Sequence, residues 1–313
     1  MPLTLLLTGA LWPSADGTPP SPAAPVLARL LARGKTQLRP LDGAAQWLCE
    51  AFGVARRQDW PVAPHALAGD GGDPGDGYWL CADPVHVEVG RSGAVVTPAG
   101  ALQITAEEAA ALSGALNTHF APALAFTAAQ PGRWYARAAP GFAAADAKGR
   151  RAVETELQML LHAHPVNTVR EDRGVPTINS ISFSGGGSYT APTRQPFDAV
   201  YTDLPLARGL AGPALTRAPP PRSGDLRVEP DARVLVALDA LEGADSWPAA
   251  LEALDAGWIT FIEQALAGGH CTEARLVLTG RSHALECTIS PRDRWRFWRR
   301  GAPLPQTLTE PSA

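Results

Sequence analysis

Hydrophobic positions along the chain fall into short blocks whose spacing alternates between strand-like and helical. Residues 3–8 alternate only weakly but are β-compatible and bounded by Gly9, which predicts a first core strand. Residues 12–25 carry five prolines and an Asp-Gly pair and predict a loop. Val26, Leu27, Leu30 and Leu31 then share one helical face that stops at Gly34, and Trp47, Leu48 and Phe52 repeat the pattern within residues 44–54. Both helices are expected to lie on a sheet. Residues 69–77, rich in Gly and Asp, predict a flexible acidic connector. In residues 78–89 Pro84 divides two short strand-like pieces.

Thr105 and Glu108 frame a capping box that predicts a helix to about His119, because hydroxyl and carboxylate reciprocally satisfy first-turn amides. Strand-like residues 124–127 and 134–137 follow. Residues 138–149, rich in Ala, Gly and Pro, have little periodicity and are where the pattern places a boundary, closing a mixed α+β part over 1–149. Beyond it, residues 153–161 predict a helix ended by Pro165, and residues 247–266 another. Residues 178–183, 197–202, 234–238 and 274–278 are short apolar strands. Continuous apolar strands alternating with helices predict an α/β part over 150–313, a mostly parallel sheet with helices on both faces.

The 313 residues suit one large domain or two ordinary ones. With 45% hydrophobic and 19% charged residues the chain can build a core, and charge-driven disorder is excluded. Lys and Arg number 27 against 31 Asp and Glu, a net charge of −4, which argues against whole-protein attraction to nucleic acid or anionic lipid. Cys49, Cys81, Cys271 and Cys287 are far apart without a CxxC spacing, so buried reduced thiols are expected. No Lys or Arg precedes the N-terminal apolar run, and no run approaches ~18 apolar residues. The expected location is the cytoplasm, with no membrane contact.

Several residues could carry chemistry. Ser184, Gly185, Gly186 and Gly187 follow a strand, where glycine amides can cradle phosphate, but no Lys-Ser/Thr follows as in a Walker A motif. A tight turn is the simpler expectation there. His162 and His164 would diverge by about 200° on a helix, so an imidazole capping the helix C-terminus is expected rather than a metal pair. Asp83 and His86 could supply a carboxylate and an imidazole, while Asp203 and Asp239 follow strands, where open α/β sheets place ligand-binding groups. Residues 292–300 hold five arginines with Trp295, Phe297 and Trp298. Base stacking with phosphate contacts is one reading of them. Aromatics buried on the domain, with arginine stems along the surface, is the expectation preferred here.

Four blocks, residues 82–89 (ADPVHVEV), 157–187 (LQMLLHAHPVNTVREDRGVPTINSISFSGGG), 197–212 (FDAVYTDLPLARGLAG) and 293–300 (DRWRFWRR), resemble the RpfE-type regulatory proteins of proteobacteria, whose members are often labelled as homologues of cofactor-independent phosphoglycerate mutase. Within them the resemblance draws Asn167 and Asn179 into the candidate ligand-binding set beside Ser184 to Gly187, Asp203 and Arg208. The order of the Gly-rich turn, the LARGLAG segment, the strand ending at Asp239 and the strand before Ser282 and His283 also looks like the metal-dependent mutases of the alkaline-phosphatase superfamily. That likeness implies an alkaline-phosphatase-like fold and a pair of metal ions held by carboxylates and imidazoles. Thr8-Gly9 stands where such enzymes carry a metal-binding Asp-Gly, no Asp-His dipeptide occurs, and no histidine lies between 165 and 269.

The expectation is thus a non-catalytic regulatory or ligand-binding pseudoenzyme with no metal and no other cofactor. Its ligand would be a phosphorylated small molecule, held by amides of 185–187 with Arg208 or His283, or a protein partner. One alternative is a phosphoglycerate mutase or phosphatase using zinc or manganese at a rearranged site of Asp83, His86, Asp239 and His283. A second is nucleic-acid binding through the C-terminal arginines.

Overall fold

The computed structural model describes the chain except residues 14–19, 91–92, 141–146, 228, 230, 242–243, 245 and 312–313. The order begins β1 (Pro2–Leu7), α1 (Pro25–Arg33), β2 (Lys35–Pro40) and α2 (Gly43–Phe52). There follow α3 (Val62–Gly69), β3 (Tyr78–Gly90), β4 (Gly93–Thr97), α4 (Ala106–Phe120), β5 (Leu124–Gln130), β6 (Arg133–Ala138), α5 (Ala147–His162), α6 (Pro165–Asp172) and β7 (Ser180–Ser188). The chain closes with β8 (Ala199–Thr202), α7 (Pro205–Ala211), β9 (Thr216–Arg217), β10 (Val234–Leu238), α8 (Trp247–Leu254), α9 (Thr260–Ala267), β11 (Glu273–Thr279), β12 (His283–Ile289) and α10 (Leu304–Thr307).

The first and last of these runs make one compact unit, Met1–Val54 with Pro192–Ala313, and the middle run makes another, Ala55–Ala191. The division expected at 149 falls inside the second unit, beside residues 141–146, which lie outside the described residues. Composition along the chain marks local changes, whereas the first unit is closed by pairing of β1 with β10 and β11, more than two hundred residues away.

In the first unit β11, β1, β10, β8 and β9 run parallel, and β12 and β2 extend the sheet antiparallel, in the order β2-β12-β11-β1-β10-β8-β9. This is the mostly parallel α/β sheet expected from the apolar strands. Leu3, Leu5 and Leu7 pack on one face with Leu27, Leu30 and Leu31 of α1 and with residues of α8 and α9. Leu6, Leu235, Ala237 and Val277 are fully buried on the opposite face, where Arg275 lies 5.6 Å over the Trp47 ring of α2. Burial on both faces explains why the strands lack an apolar-polar alternation. β2 carries no apolar strand pattern because it is a polar edge strand; its Lys and Pro discourage further strand addition.

The helix expected over 247–266 is broken by a π turn at Asp255–Ile259. That turn buries Asp255, whose carboxylate accepts the Val26 and Leu27 amides at 3.1 and 2.6 Å. Ala24 offers α1 no side-chain cap, so a carboxylate from elsewhere in the fold satisfies its first-turn donors.

The second unit is antiparallel, in the order β4-β3-β6-β5 with β7 also on β3, and α4 and α5 cover a core containing Leu112, Leu116, Trp134, Leu157 and Leu161. The strand expected at 178–183 therefore belongs to this sheet and not to the parallel one. Pro84 does not break β3. It falls between the last β6 pair, Cys81 with Tyr135, and the first β4 pair, His86 with Thr97, where β3 is between partners on that side. The capping box forms as expected, with Glu108 N–H to Thr105 Oγ1 at 3.2 Å and Thr105 N–H to Glu108 at 3.0 Å.

Two local expectations are corrected. His164 does not cap the end of α5: its Nδ1 accepts the Val166 amide at 3.2 Å and starts α6, with Pro165 at the first helical position. Residues 69–77 are not all connector, since Asp70 follows α3 with a buried carboxylate held by Arg133 and Tyr135. Among the described residues no helix is long and apolar enough to cross a membrane.

His65 of α3 is fully buried, with neither ring nitrogen hydrogen-bonded among the described residues, and burial pushes its pKa down to about 4. The unfolded chain then takes up a proton near pH 6.5 that the folded chain refuses until about pH 4. The stability is intact above pH 6.5 and drains away as pH falls toward 4. By pH 5 the loss should be about 2 kcal/mol, and His65→Leu should flatten it in urea titrations from pH 7.5 to 5. An unchanged slope would assign acid sensitivity to other groups.

Candidate functional site

In the first unit the candidate site lies at the C-terminal edge of the parallel strands. The chain leaves β8 toward β9 and leaves β10 in the opposite direction, across β1 to β11, so β8 and β10 bracket a topological switch point. Open α/β sheets bind ligands in the crevice such a reversal creates. Asp203 and Asp239 follow these two strands, and both are exposed.

Thr8 is buried directly after β1, and its hydroxyl donates to Asp239 Oδ1. Gly9 takes φ of 64°, and its carbonyl accepts the Trp247 indole N–H at 2.8 Å. Thr279, at the end of β11, donates its hydroxyl to the Leu7 carbonyl at 3.2 Å. Ser282 and His283 are held by Glu310, which is buried and accepts their backbone amides at 2.7 and 3.0 Å. Ser282 Oγ and His283 Nδ1 are 3.0 Å apart. Nothing in the local pattern singled out Glu310; only the return of the C-terminal segment places it here. Arg208 sits half-buried in α7.

A pair of divalent ions about 4 Å apart needs several anionic ligands to offset their repulsion. The edge presents a neutral hydroxyl at the end of β1, and that hydroxyl spends its proton on the carboxylate following β10. Among the described residues no group of three or more His, Cys, Asp or Glu side chains is arranged to hold a metal. The residues present do not fit a two-metal centre.

The remaining candidates belong to the second unit. Asp83 and His86 are three residues apart on β3, and so emerge on opposite faces of the strand. The Asp83 carboxylate accepts the Trp134 amide at 3.3 Å, and burial pushes its pKa up. His86 Nδ1 lies 2.9 Å from the Thr177 carbonyl. With Asp239 and His283 in the other unit, the four-residue site is not assembled within either.

Asn167 is buried and bonds the Leu161 carbonyl and both backbone groups of Ile178, and Asn179 bonds both backbone groups of Val87. Their amides act as extra backbone pairs. The thiols are free, and burial pushes those of Cys49, Cys81 and Cys287 up to about 12.

Ser184 to Gly187 form no turn: they are strand residues of β7. Gly185 and Gly186 lie opposite Leu80 as a bulge, between the pairs Cys81–Ser184 and Trp79–Gly187, and Gly185 has φ of 58°. A Cβ at Gly185 would come within 2.6 Å of Val62, and one at Gly187 within 2.6 Å of Pro61. The glycines let the start of α3 approach the sheet. Gly186 and Gly187 also line a groove of about 1010 Å³, together with Arg57, Asp59, Tyr78 and Arg137. Arg137 pairs with Asp76 at 3.3 Å, whereas the exposed Arg57 guanidinium has no partner among the described residues.

The structure of the PH0037 protein from Pyrococcus horikoshii is similar over 98% of this chain and 93% of its own, with a TM-score of 0.57 and 15% identity, and the two share a fold. A cofactor-independent phosphoglycerate mutase from Thermoplasma acidophilum DSM 1728 aligns over 92% of this chain and 89% of its own, with a TM-score of 0.45 and 14% identity. No family model matches the chain, and no curated protein matches it.

Proposed function

We propose that the chain is a non-catalytic, ligand-binding regulatory protein of the RpfE type, built on a phosphoglycerate-mutase-like scaffold. The observation that carries this is the Thr8 hydroxyl bonded to Asp239 at the edge where the mutases it resembles hold metal. A hydrogen-bond donor there satisfies the carboxylate without any cation. The ligand is a phosphorylated small molecule, and the groove in the second unit is its candidate seat. Arg57, without a partner among the described residues, supplies a phosphate fork.

Metal analysis and turnover test the first part. Purified protein is expected to hold no stoichiometric zinc or manganese and to show no phosphoglycerate mutase or phosphatase turnover above background. Stoichiometric metal, lost together with turnover in Asp239→Ala, would establish the catalytic alternative instead. For the ligand, a thermal-shift screen of phosphorylated metabolites should give at least one stabilising compound, because binding to the folded state raises apparent stability. Arg57→Ala should abolish that shift. A shift surviving in Arg57→Ala would remove the groove from the proposal.

A further inference from the structure

Residues 292–300 do not bury their aromatic side chains as expected. Trp295, Phe297 and Trp298 are 62%, 73% and 67% exposed, although the segment carrying them is firmly seated. Asp293 is its anchor: it is buried, accepts the Ser290 amide and hydroxyl at 2.8 Å each, and pairs with Arg296 at 2.6 Å. Arg296 also donates to the Arg33 carbonyl at 3.3 Å, and Arg294 to the Ala267 carbonyl at 3.1 Å. The Arg294 guanidinium lies 4.7 Å over the Trp295 ring, and Phe297 meets Trp298 edge to face at 5.4 Å. A rigid base thus holds three large aromatics out in water.

The surroundings are cationic. Arg33 and Lys35 lie at the turn from α1 into β2, which pairs with β12 from Lys35 opposite Thr288. With Arg292, Arg294, Arg296, Arg299 and Arg300 they make seven cationic side chains, against Asp293 within 292–300 and Glu263, which lines a pocket with Arg33 and Arg294 and pairs with Arg29. The patch follows the end of β12, which lies beside the N-terminal end of β11, so it occupies the sheet edge opposite Asp203 and Asp239.

We propose that this patch binds single-stranded nucleic acid, with bases stacking on Trp295, Phe297 and Trp298 and arginines on the phosphates. Exposed aromatics interleaved with guanidinium groups match an unpaired strand, which offers a flat π-face and an anionic backbone in alternation. A bilayer fits less well. Beyond the single 3₁₀ turn at Asp293–Trp295 the segment is irregular, so insertion would carry unpaired backbone groups out of water, and the arginines interrupt any continuous apolar face. A second copy would bring like charges together. The overall charge of −4 confines the attraction to this patch.

Fluorescence anisotropy of full-length protein with a labelled twelve-nucleotide strand tests the proposal. Binding is expected to weaken about fiftyfold between 50 and 200 mM salt for four phosphate contacts. Trp295→Ala combined with Trp298→Ala should weaken it at least about tenfold. Arg299→Ala with Arg300→Ala should weaken it and also lower the salt slope. All four side chains are exposed, so far-ultraviolet circular dichroism should be unchanged. No binding at 50 mM salt, or equal affinity in the Trp variant, would overturn the proposal. So would preferential binding to anionic phosphatidylglycerol vesicles, or a dimer in sedimentation that the Trp variant dissolves. None of these outcomes bears on the metal and turnover measurements.

Discussion

Replacing Arg170 with alanine is expected to destabilise the second unit by about 4 kcal/mol, in the range seen when one partner of a buried ion pair is removed. Arg170 is 1% exposed. Its guanidinium donates to the Pro176 carbonyl at 2.8 Å, to the Leu102 carbonyl at 2.6 Å and to Glu108 at 2.7 Å. Truncation strands two carbonyls and leaves a carboxylate only 11% exposed with its main cation gone. Arg173, 3.8 Å away and mostly exposed, replaces little of that. Glu108 is also half of the capping box, so α4 should fray at its first turn. The urea midpoint of the second unit should fall, and hydrogen exchange should quicken at the start of α4 and in α6. Arg170→Met, which keeps the stem but not the donors, should recover less than half. A loss below about 1 kcal/mol would mean that water satisfies these groups after truncation.

Asp70→Ala is expected to cost about 3 kcal/mol. The carboxylate is 1% exposed and takes both Arg133 nitrogens, at 2.6 and 2.7 Å, as well as the Tyr135 hydroxyl at 2.8 Å. Burial works against the Arg133 charge, but Asp70 outweighs it and raises the Arg133 pKa. Removing the acid leaves a half-buried cation and a hydroxyl on a fully buried ring. Asp70→Asn, which keeps an acceptor, should cost less than alanine, and urea unfolding at pH 7 followed by tryptophan fluorescence reads both. Equal costs for the two variants would show that charge, not the retained acceptor, carries the contribution. Asp73 and Asp76 in the same acidic stretch are exposed, and their alanine variants should be silent.

These two residues mark the limit of local pattern. The capping box at Thr105 and Glu108 is legible because both partners lie within one turn. The recruitment of Arg170 by Glu108 is not, since it spans 62 residues. Asp70 in a Gly-Asp-rich stretch looks like solvent-exposed sequence, and only the arrival of β6 buries it. Glu310 and Asp255 follow the same rule, one fixing Ser282 and His283 and the other capping α1 from a distance. The glycine run stands out in the sequence, but the tight turn expected of it is a bulge within β7, because glycine is equally suited to a turn, an anion cradle and close packing. What stands at Cβ distance decides among them, and here it is Pro61 and Val62.

By itself the sequence determined the existence of the buried parallel strands, most helices and their faces, and the poverty of metal-binding side chains at the strand ends. Each of these depends on residue type and short-range periodicity, which one chain displays without a partner. Tertiary structure alone decided that the parallel unit is split around the antiparallel one and that Thr8 meets Asp239. It also decided which carboxylates are buried, and that the C-terminal aromatics face water. Those outcomes depend on contacts between segments tens to hundreds of residues apart, where burial, charge pairing and strand order are set together and leave no local trace.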